Sequence, residues 1–223
     1  MSSIESLLEK NRAWAAAMRE EDPAFFQNLA HQQQPDYLWI GCADSRVPAT
    51  QLVGLPPGEM FVHRNVANLV VHTDFNCLSV LQFAVEVLQV SDVIVCGHYG
   101  CGGVHAALLN RRMGLIDNWL RHVHDVRIRH SAELEGLAGD EQRFRRLCEL
   151  NVIEQVVNVS QTTIVQQARG RGQQLKIHGW IYSVEDGLVQ PLPISNASDD
   201  ELHRQYQQAV GLPLTPFASS VLG

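Results

Sequence analysis

Residues 41–46 read GCADSR and bring a thiol, a carboxylate and a guanidinium together, in Cys42, Asp44 and Arg46. They follow YLWI, an apolar run typical of a strand that leaves the core. Alternate residues of an extended chain point to the same side. If the strand geometry continues into the following turn, the three side chains share one face.

A second chemical stretch, GHYGCGG at 97–103, follows the apolar run DVIVCG. That run is typical of a strand buried on both faces of a parallel sheet. Ligands in open α/β folds collect at the carboxyl ends of the strands, so the two loops can face each other. Cys42, His98 and Cys101 then offer two soft sulfurs and an imidazole, which suits tetrahedral zinc, and Asp44 is a candidate fourth ligand.

Two other interpretations of these loops are weaker. A nucleotide-binding loop requires the spacing G-x-G-x-x-G or a GK[ST] ending, and GHYGCGG has neither. A thiol phosphatase requires a longer loop between its cysteine and its arginine than the three residues found here, and Asp44 would repel the anion. The other cysteines, Cys77, Cys96 and Cys148, lie in apolar patterns and are predicted to be small buried hydrophobic residues.

The charge of the chain argues against binding to nucleic acid. Its 223 residues carry 24 acids and 17 bases, for a net charge of -7. A local group of arginines at 143, 145 and 146 is predicted to lie on a solvated helix face, with Glu141–Arg145 and Arg145–Glu149 as i,i+4 pairs.

The N-terminal segment predicts neither a signal peptide nor a membrane span, because charges are scattered through it. Five cysteines are an odd number in a chain with no export signal. This count favours reduced thiols and a cytoplasmic location over a disulfide framework.

The order of elements predicts an α/β fold with a mostly parallel central sheet flanked by helices and an antiparallel edge strand. We expect one domain over 1–210, including an N-terminal helical arm over 1–34, and a loosely ordered tail over 211–223. The predicted strands are YLWIG, EMFVHR, DVIVCG, LKIHGWIY and LVQPL, and the predicted helices include 3–20, one opening after Asp22, 74–88 capped by Asp74, and 140–168.

An ordered set of motifs resembles the β-class carbonic anhydrases. C-x-D-x-R is followed by HRN, GHYGCGG, CELN and HGW-x-Y-x-x-x-DG, and the resemblance covers roughly residues 1 to 210. It is closest to the bacterial type and its bicarbonate-regulated subgroup. The resemblance implies one zinc per chain, held by Cys42, His98 and Cys101, and reversible hydration of carbon dioxide by zinc-bound hydroxide. Asp44 would switch between ligating zinc and pairing with Arg46.

The same resemblance implies two further pockets and an oligomer. Bicarbonate would be held by Trp39, Arg64 and Tyr182, although an aromatic core beside a structural arginine explains these residues equally well. The chain would form a homodimer or a homotetramer and build its carbon dioxide pocket across a dimer interface. The resemblance places that pocket at Val66, Phe83 and Gly102.

Two alternative functions remain open at the level of sequence. One is a carbon disulfide or carbonyl sulfide hydrolase on the same scaffold. The other is a non-catalytic zinc protein, which Asp44 as a fourth ligand disfavours, because closed structural sites are usually built from Cys and His. The sequence does not choose a proton shuttle among His63, His72, His105, His122, His124, His130 and His178.

Overall fold

A single five-stranded sheet forms the centre of the computed structural model, which describes residues 3–31 and 33–214. Its order is β2-β1-β3-β4-β5; the first four strands are parallel to their neighbours, and β5 runs antiparallel to β4. This arrangement confirms the predicted fold class. The strands are β1 (Tyr37–Cys42), β2 (Met60–Asn65), β3 (Asp92–His98), β4 (Lys176–Tyr182) and β5 (Val189–Asn196).

The sequence of each strand fits its place in the sheet. The central strand β3 is buried from Val93 to His98, as its continuous apolar run predicts. At the edge, β5 contains Pro191 and Pro193, which a strand with only one neighbour tolerates. The parallel order brings the carboxyl ends of β1 and β3 side by side.

Helices surround the sheet. Most of the core lies on the face covered by the long helix α8, and a smaller cluster on the other face contains Trp39, Cys96 and Tyr182. The helices are α1 (Ile4–Glu21), α2 (Phe25–His31), α3 (Ala49–Leu52), α4 (Phe75–Gln82), α5 (Gly102–Leu108), α6 (Ile116–Arg129), α7 (Ser131–Glu135), α8 (Asp140–Ser160), α9 (Thr163–Gly170) and α10 (Asp199–Val210).

Two helix predictions need correction, and one helix was missed. The predicted helix over 140–168 is two helices, because the Thr162 hydroxyl accepts a hydrogen bond from the Val165 amide and starts α9. The predicted helix over 74–88 has the expected Asp74 cap but ends in a π turn over 83–87. The sequence did not reveal α10, whose composition is largely polar and whose start is capped by Ser198.

The N-terminal helices α1 and α2 contain no buried residue. Within the ranges that the structure describes, no helix combines the length and the hydropathy needed to cross a bilayer. Most of the predicted tail, from residue 215 onward, lies outside the described residues.

Candidate metal centre

Two sulfurs and an imidazole converge at the carboxyl ends of β1 and β3. Cys42 ends β1, His98 ends β3, and Cys101 precedes α5. The two sulfurs are 3.9 Å apart, and the ligand atoms of the three residues all lie within 4.8 Å of one another. All three residues are buried. The structure thus brings together the three residues that the sequence selected from two distant loops.

The ring of His98 is oriented for metal binding. Its Nδ1 lies 2.9 Å from the carbonyl oxygen of Tyr99, and because a carbonyl only accepts, Nδ1 carries the proton and Nε2 a free lone pair. Nε2 is buried and has no hydrogen-bond partner among the described residues. Such an orphan nitrogen beside two thiols fits a metal ion, and the S2N donor set suits zinc.

The two thiols share a hydrogen bond. The bond from the Cys101 thiol lowers the pKa of Cys42 and outweighs the effect of burial. The same bond, with burial, raises the pKa of Cys101. The site therefore favours one thiolate before any cation arrives, and a cation would favour the second.

Asp44 points to Arg46 rather than completing the ligand set. The strand ends at Cys42, so the condition for a shared face of Cys42, Asp44 and Arg46 is not met. Instead, the Asp44 carboxylate accepts from the Arg46 amide at 2.9 Å and from its guanidinium Nε and Nη2 at 3.0 and 2.7 Å. These hydrogen bonds hold the pKa of Asp44 far below its usual range. Its Oδ2 stays 3.7 Å from Nε2 of His98.

Arg64 makes contacts that the sequence did not predict. From β2, its Nε donates to the carbonyl of Cys42 at 2.8 Å and its Nη2 to the carbonyl of Asp44. The guanidinium thereby braces the turn that follows Cys42. This contact agrees with the structural arginine that was one of the two interpretations of Arg64.

The other two expected bicarbonate residues lie on the same side of the sheet as Arg64. Trp39 and Gly41 share a face of β1, and Gly41 pairs with Arg64. Trp39 and Tyr182 belong to one buried cluster, and the buried Trp39 Nε1 has no hydrogen-bond partner within the described part of the chain. A Cβ at Gly41 would lie 2.3 Å from that nitrogen, so only glycine at position 41 leaves room for the indole.

The residues expected to form the carbon dioxide pocket are spread over two places. Val66 lies against the start of α5, where its Cγ1 is 3.1 Å from a Cβ built at Gly103; a Cβ built at the neighbouring Gly102 meets open space. Phe83 instead stacks on Phe61 of the edge strand β2, with ring centroids 5.8 Å apart.

The remaining cysteines behave as buried hydrophobic residues. Burial raises the pKa of Cys77 and of Cys148 to about 12, and it raises the pKa of Cys96 as well. All three are almost fully buried. This confirms their predicted role and separates them from Cys42.

Comparisons with known proteins agree with this centre. A protein-family model described as carbonic anhydrase matches residues 37–189. A carbonic anhydrase of Emericella nidulans is 47% identical over 190 residues, covering 85% of this chain and 83% of that protein. One of Pseudomonas aeruginosa is 36% identical over 174 residues, covering 75% and 77%.

Solved structures extend the similarity to the fold. The Coccomyxa beta-carbonic anhydrase in complex with acetazolamide has a TM-score of 0.87 at 39% identity, covering 93% of this chain and 96% of that one. A tetrameric beta-carbonic anhydrase from Sordaria macrospora has a TM-score of 0.82 at 37% identity, covering 86% and 98%. Because the relatives include fungal and bacterial proteins, the similarity supports the class and not the expected bacterial type.

Proposed function

Because the chain belongs to the β-class carbonic anhydrases, we propose that Cys42, His98 and Cys101 hold one zinc ion for the reversible hydration of carbon dioxide to bicarbonate and a proton. The observation that carries this proposal is the buried, unpartnered Nε2 of His98 beside two thiol sulfurs. Zinc in such a site supplies Lewis-acid activation of water near neutral pH.

In this proposal Asp44 and Arg46 control access to the fourth position. Arg46 holds the Asp44 carboxylate by a bidentate pair, which keeps it from acting as a ligand. With Oδ2 only 3.7 Å from Nε2 of His98, the carboxylate is placed to accept a hydrogen bond from a water beside the ligands and to orient it. Release from Arg46 would let Asp44 close the site.

This geometry disfavours a purely structural zinc protein. A closed structural site is usually completed by a fourth Cys or His, whereas the cluster here consists of three residues. The Asp44 carboxylate, whose Oδ2 lies 3.7 Å from His98 Nε2, already has a strong partner in Arg46.

Zinc analysis and stopped-flow hydration of carbon dioxide on one sample test the proposal. We expect about one zinc per chain and rapid hydration. Cys42→Ala should lose both, whereas Cys77→Ala, which removes an equally buried thiol, should keep both. Full activity in zinc-free protein, or full zinc content in Cys42→Ala, would contradict the assignment.

We further propose that bicarbonate regulates the enzyme through Trp39, Arg64 and Tyr182. The buried Trp39 N–H lacks a partner in the described ranges, and the Tyr182 hydroxyl and the Arg64 guanidinium are additional donors for an anion. Arg64 now braces the carbonyl of Asp44. An anion that takes over this guanidinium would loosen the turn and favour the conformer in which Asp44 leaves Arg46.

Rates measured against pH at several bicarbonate concentrations test this regulation. Activity should rise cooperatively with pH, and bicarbonate should move that rise to higher pH. Tyr182→Phe should weaken the inhibition at unchanged zinc content, whereas Tyr37→Phe, at the opposite end of the sheet, should leave it intact. A one-proton curve that bicarbonate does not shift would return these aromatic residues to a packing role.

We also propose that a second copy of the chain covers the N-terminal arm. The exposed apolar residues Ile4, Leu7 and Leu8 follow one side of α1, a helix that has no buried residue. Leu8→Lys should shift the sedimentation profile toward monomer, while Leu115→Lys, at another exposed leucine, should not. Equal profiles for both variants would contradict this interface.

For the location we propose the cytoplasm. All five cysteines are free thiols, which a reducing compartment maintains. Recovery of the protein in a different compartment after cell fractionation would contradict this proposal.

A further inference from the structure

Tyr99 lies between two of the proposed metal ligands in the sequence, and its backbone and side chain make four contacts. Its carbonyl accepts the proton of His98 Nδ1 at 2.9 Å, and its amide donates to the carbonyl of Tyr182 at 2.9 Å. Its hydroxyl donates to Glu149 Oε1 at 2.6 Å. The guanidinium carbon of Arg145 lies 3.7 Å from the centre of its ring.

The contacts of Tyr99 replace the solvated helix face predicted for this part of α8. The expected pairs of Arg145 with Glu141 and Glu149 do not form within the described residues; Arg145 covers the Tyr99 ring instead. Glu149 is fixed by Arg146 at 2.9 Å, and Arg146 in turn binds Glu133 at 2.6 Å. These contacts therefore fix the side chains of one turn of α8 beside Tyr99 and the proposed metal centre.

From these contacts we propose that Tyr99 is a positioning residue for the metal centre, with Glu149 as its anchor. This inference rests on the proposed zinc site. The direction of the His98 lone pair depends on the Tyr99 carbonyl, and the Tyr99 hydroxyl bond fixes the peptide that carries this carbonyl. Gly100, which follows with a φ of 73°, supplies no rigidity of its own.

The expected effect is on metal affinity more than on folding. Groups that orient a metal-bound histidine typically change affinity by about 10- to 100-fold when they are removed. Tyr99→Phe keeps the ring and the contact with Arg145 but deletes the bond to Glu149. We therefore expect zinc affinity to fall about 10-fold.

A matched control is available elsewhere in the chain. Tyr206 also donates its hydroxyl to a glutamate, Glu154, at 2.5 Å, but it lies on α10 and takes no part in the metal turn. Tyr206→Phe should lower the melting temperature and leave zinc affinity unchanged. Glu149→Gln keeps an amide oxygen that can accept from Tyr99, so its affinity should lie between those of the wild type and Tyr99→Phe.

The experiment is competition between the zinc-loaded protein and a chromophoric chelator, run on all four proteins. Visible absorption of the cobalt(II)-substituted forms adds a readout of ligand geometry, which should change in Tyr99→Phe and not in Tyr206→Phe. Zinc affinity of Tyr99→Phe within about twofold of wild type would overturn the inference, as would an equal loss in Tyr206→Phe. If the wild type itself binds no zinc, the result contradicts the proposed function rather than the role of Tyr99.

Discussion

Asp44 and Glu154 are acids in two arginine-containing clusters that are built in opposite ways. Asp44 receives all of its side-chain hydrogen bonds within the described residues from one neighbour, Arg46. Glu154, inside the helical layer, is bound by three residues from distant parts of the chain. These are Arg129 at 2.5 Å, His130 at 2.8 Å and Tyr206 at 2.5 Å.

The difference shows how an acid–arginine ion pair can permit a conformational change in one place and stabilise the fold in another. The Asp44–Arg46 pair closes within a single turn, where the Asp44 side chain is 19% exposed, and the Arg46 guanidinium also donates to the carbonyl of Gly100 at 3.3 Å. Glu154 is 5% exposed and ties α6 and α10 to α8. A switch can use the first cluster, whereas the second must stay intact for the helices to pack.

The largest effect should follow the loss of Glu154. Glu154→Ala leaves the buried His130 ring and the buried Tyr206 hydroxyl without their acceptor, and each such loss typically costs about 1–3 kcal/mol of unfolding free energy. The Arg129 guanidinium, which is 56% exposed, can be solvated instead. We expect urea denaturation to report this loss while zinc content at low temperature stays at one per chain.

Glu133→Ala is the matched control for that change. Glu133 also accepts from an arginine, Arg146, but its side chain is 34% exposed. Its removal should cost about 1 kcal/mol or less. Equal losses in the two variants would mean that the buried cluster has no special part in stability.

The next effect is on activity. Arg46→Ala should leave zinc bound, because Arg46 is no ligand, and should lower kcat/KM by on the order of 100-fold, because Asp44 is then free to occupy the open position. Stopped-flow rates and zinc analysis check this. Arg143→Ala, which removes another arginine paired with an aspartate, Asp140, should leave the rate unchanged. Near-normal turnover in Arg46→Ala would refute the switch.

The two clusters also mark where sequence reasoning works. Asp44 and Arg46 are two positions apart, and their pairing follows from spacing even though the backbone between them is a turn rather than a strand. Glu154 and Tyr206 are 52 positions apart, and His130 was one of several histidines with no distinguishing local pattern. The packing of α6 and of α10 on α8 brings this cluster together, and the sequence did not reveal α10.

The candidate metal centre follows the same rule. The convergence of Cys42, His98 and Cys101 could be predicted because parallel strands place their carboxyl ends together, and each of the two loops that carry these residues follows an apolar run. The residues that brace this centre could not be predicted. Arg64 and Glu149 reach it from a neighbouring strand and from a helix, and helical spacing alone assigned that part of α8 to solvent.

Acid should produce the smallest effect, and it should act mainly on Glu154. Burial alone would raise the pKa of Glu154, but hydrogen bonds from His130 and Tyr206, with nearby positive charge, lower it below the ordinary 4.5. Because the pKa is lower in the folded state, ionised Glu154 stabilises the fold above pH 4.5. This contribution is lost as the pH falls through the folded-state pKa.

Urea denaturation at a series of pH values can compare the two acids. The difference in unfolding free energy between wild type and Glu154→Gln should be constant near neutral pH and shrink below pH 4.5. Asp44→Asn also removes a carboxyl with a lowered pKa, held mainly by Arg46. The Asp44 side chain is 19% exposed against 5% for Glu154, so solvent screens it more and its difference should shrink less. A stronger acid dependence for Asp44→Asn would mean that the Asp44–Arg46 pair, and not the buried cluster, carries the electrostatic stability of the fold.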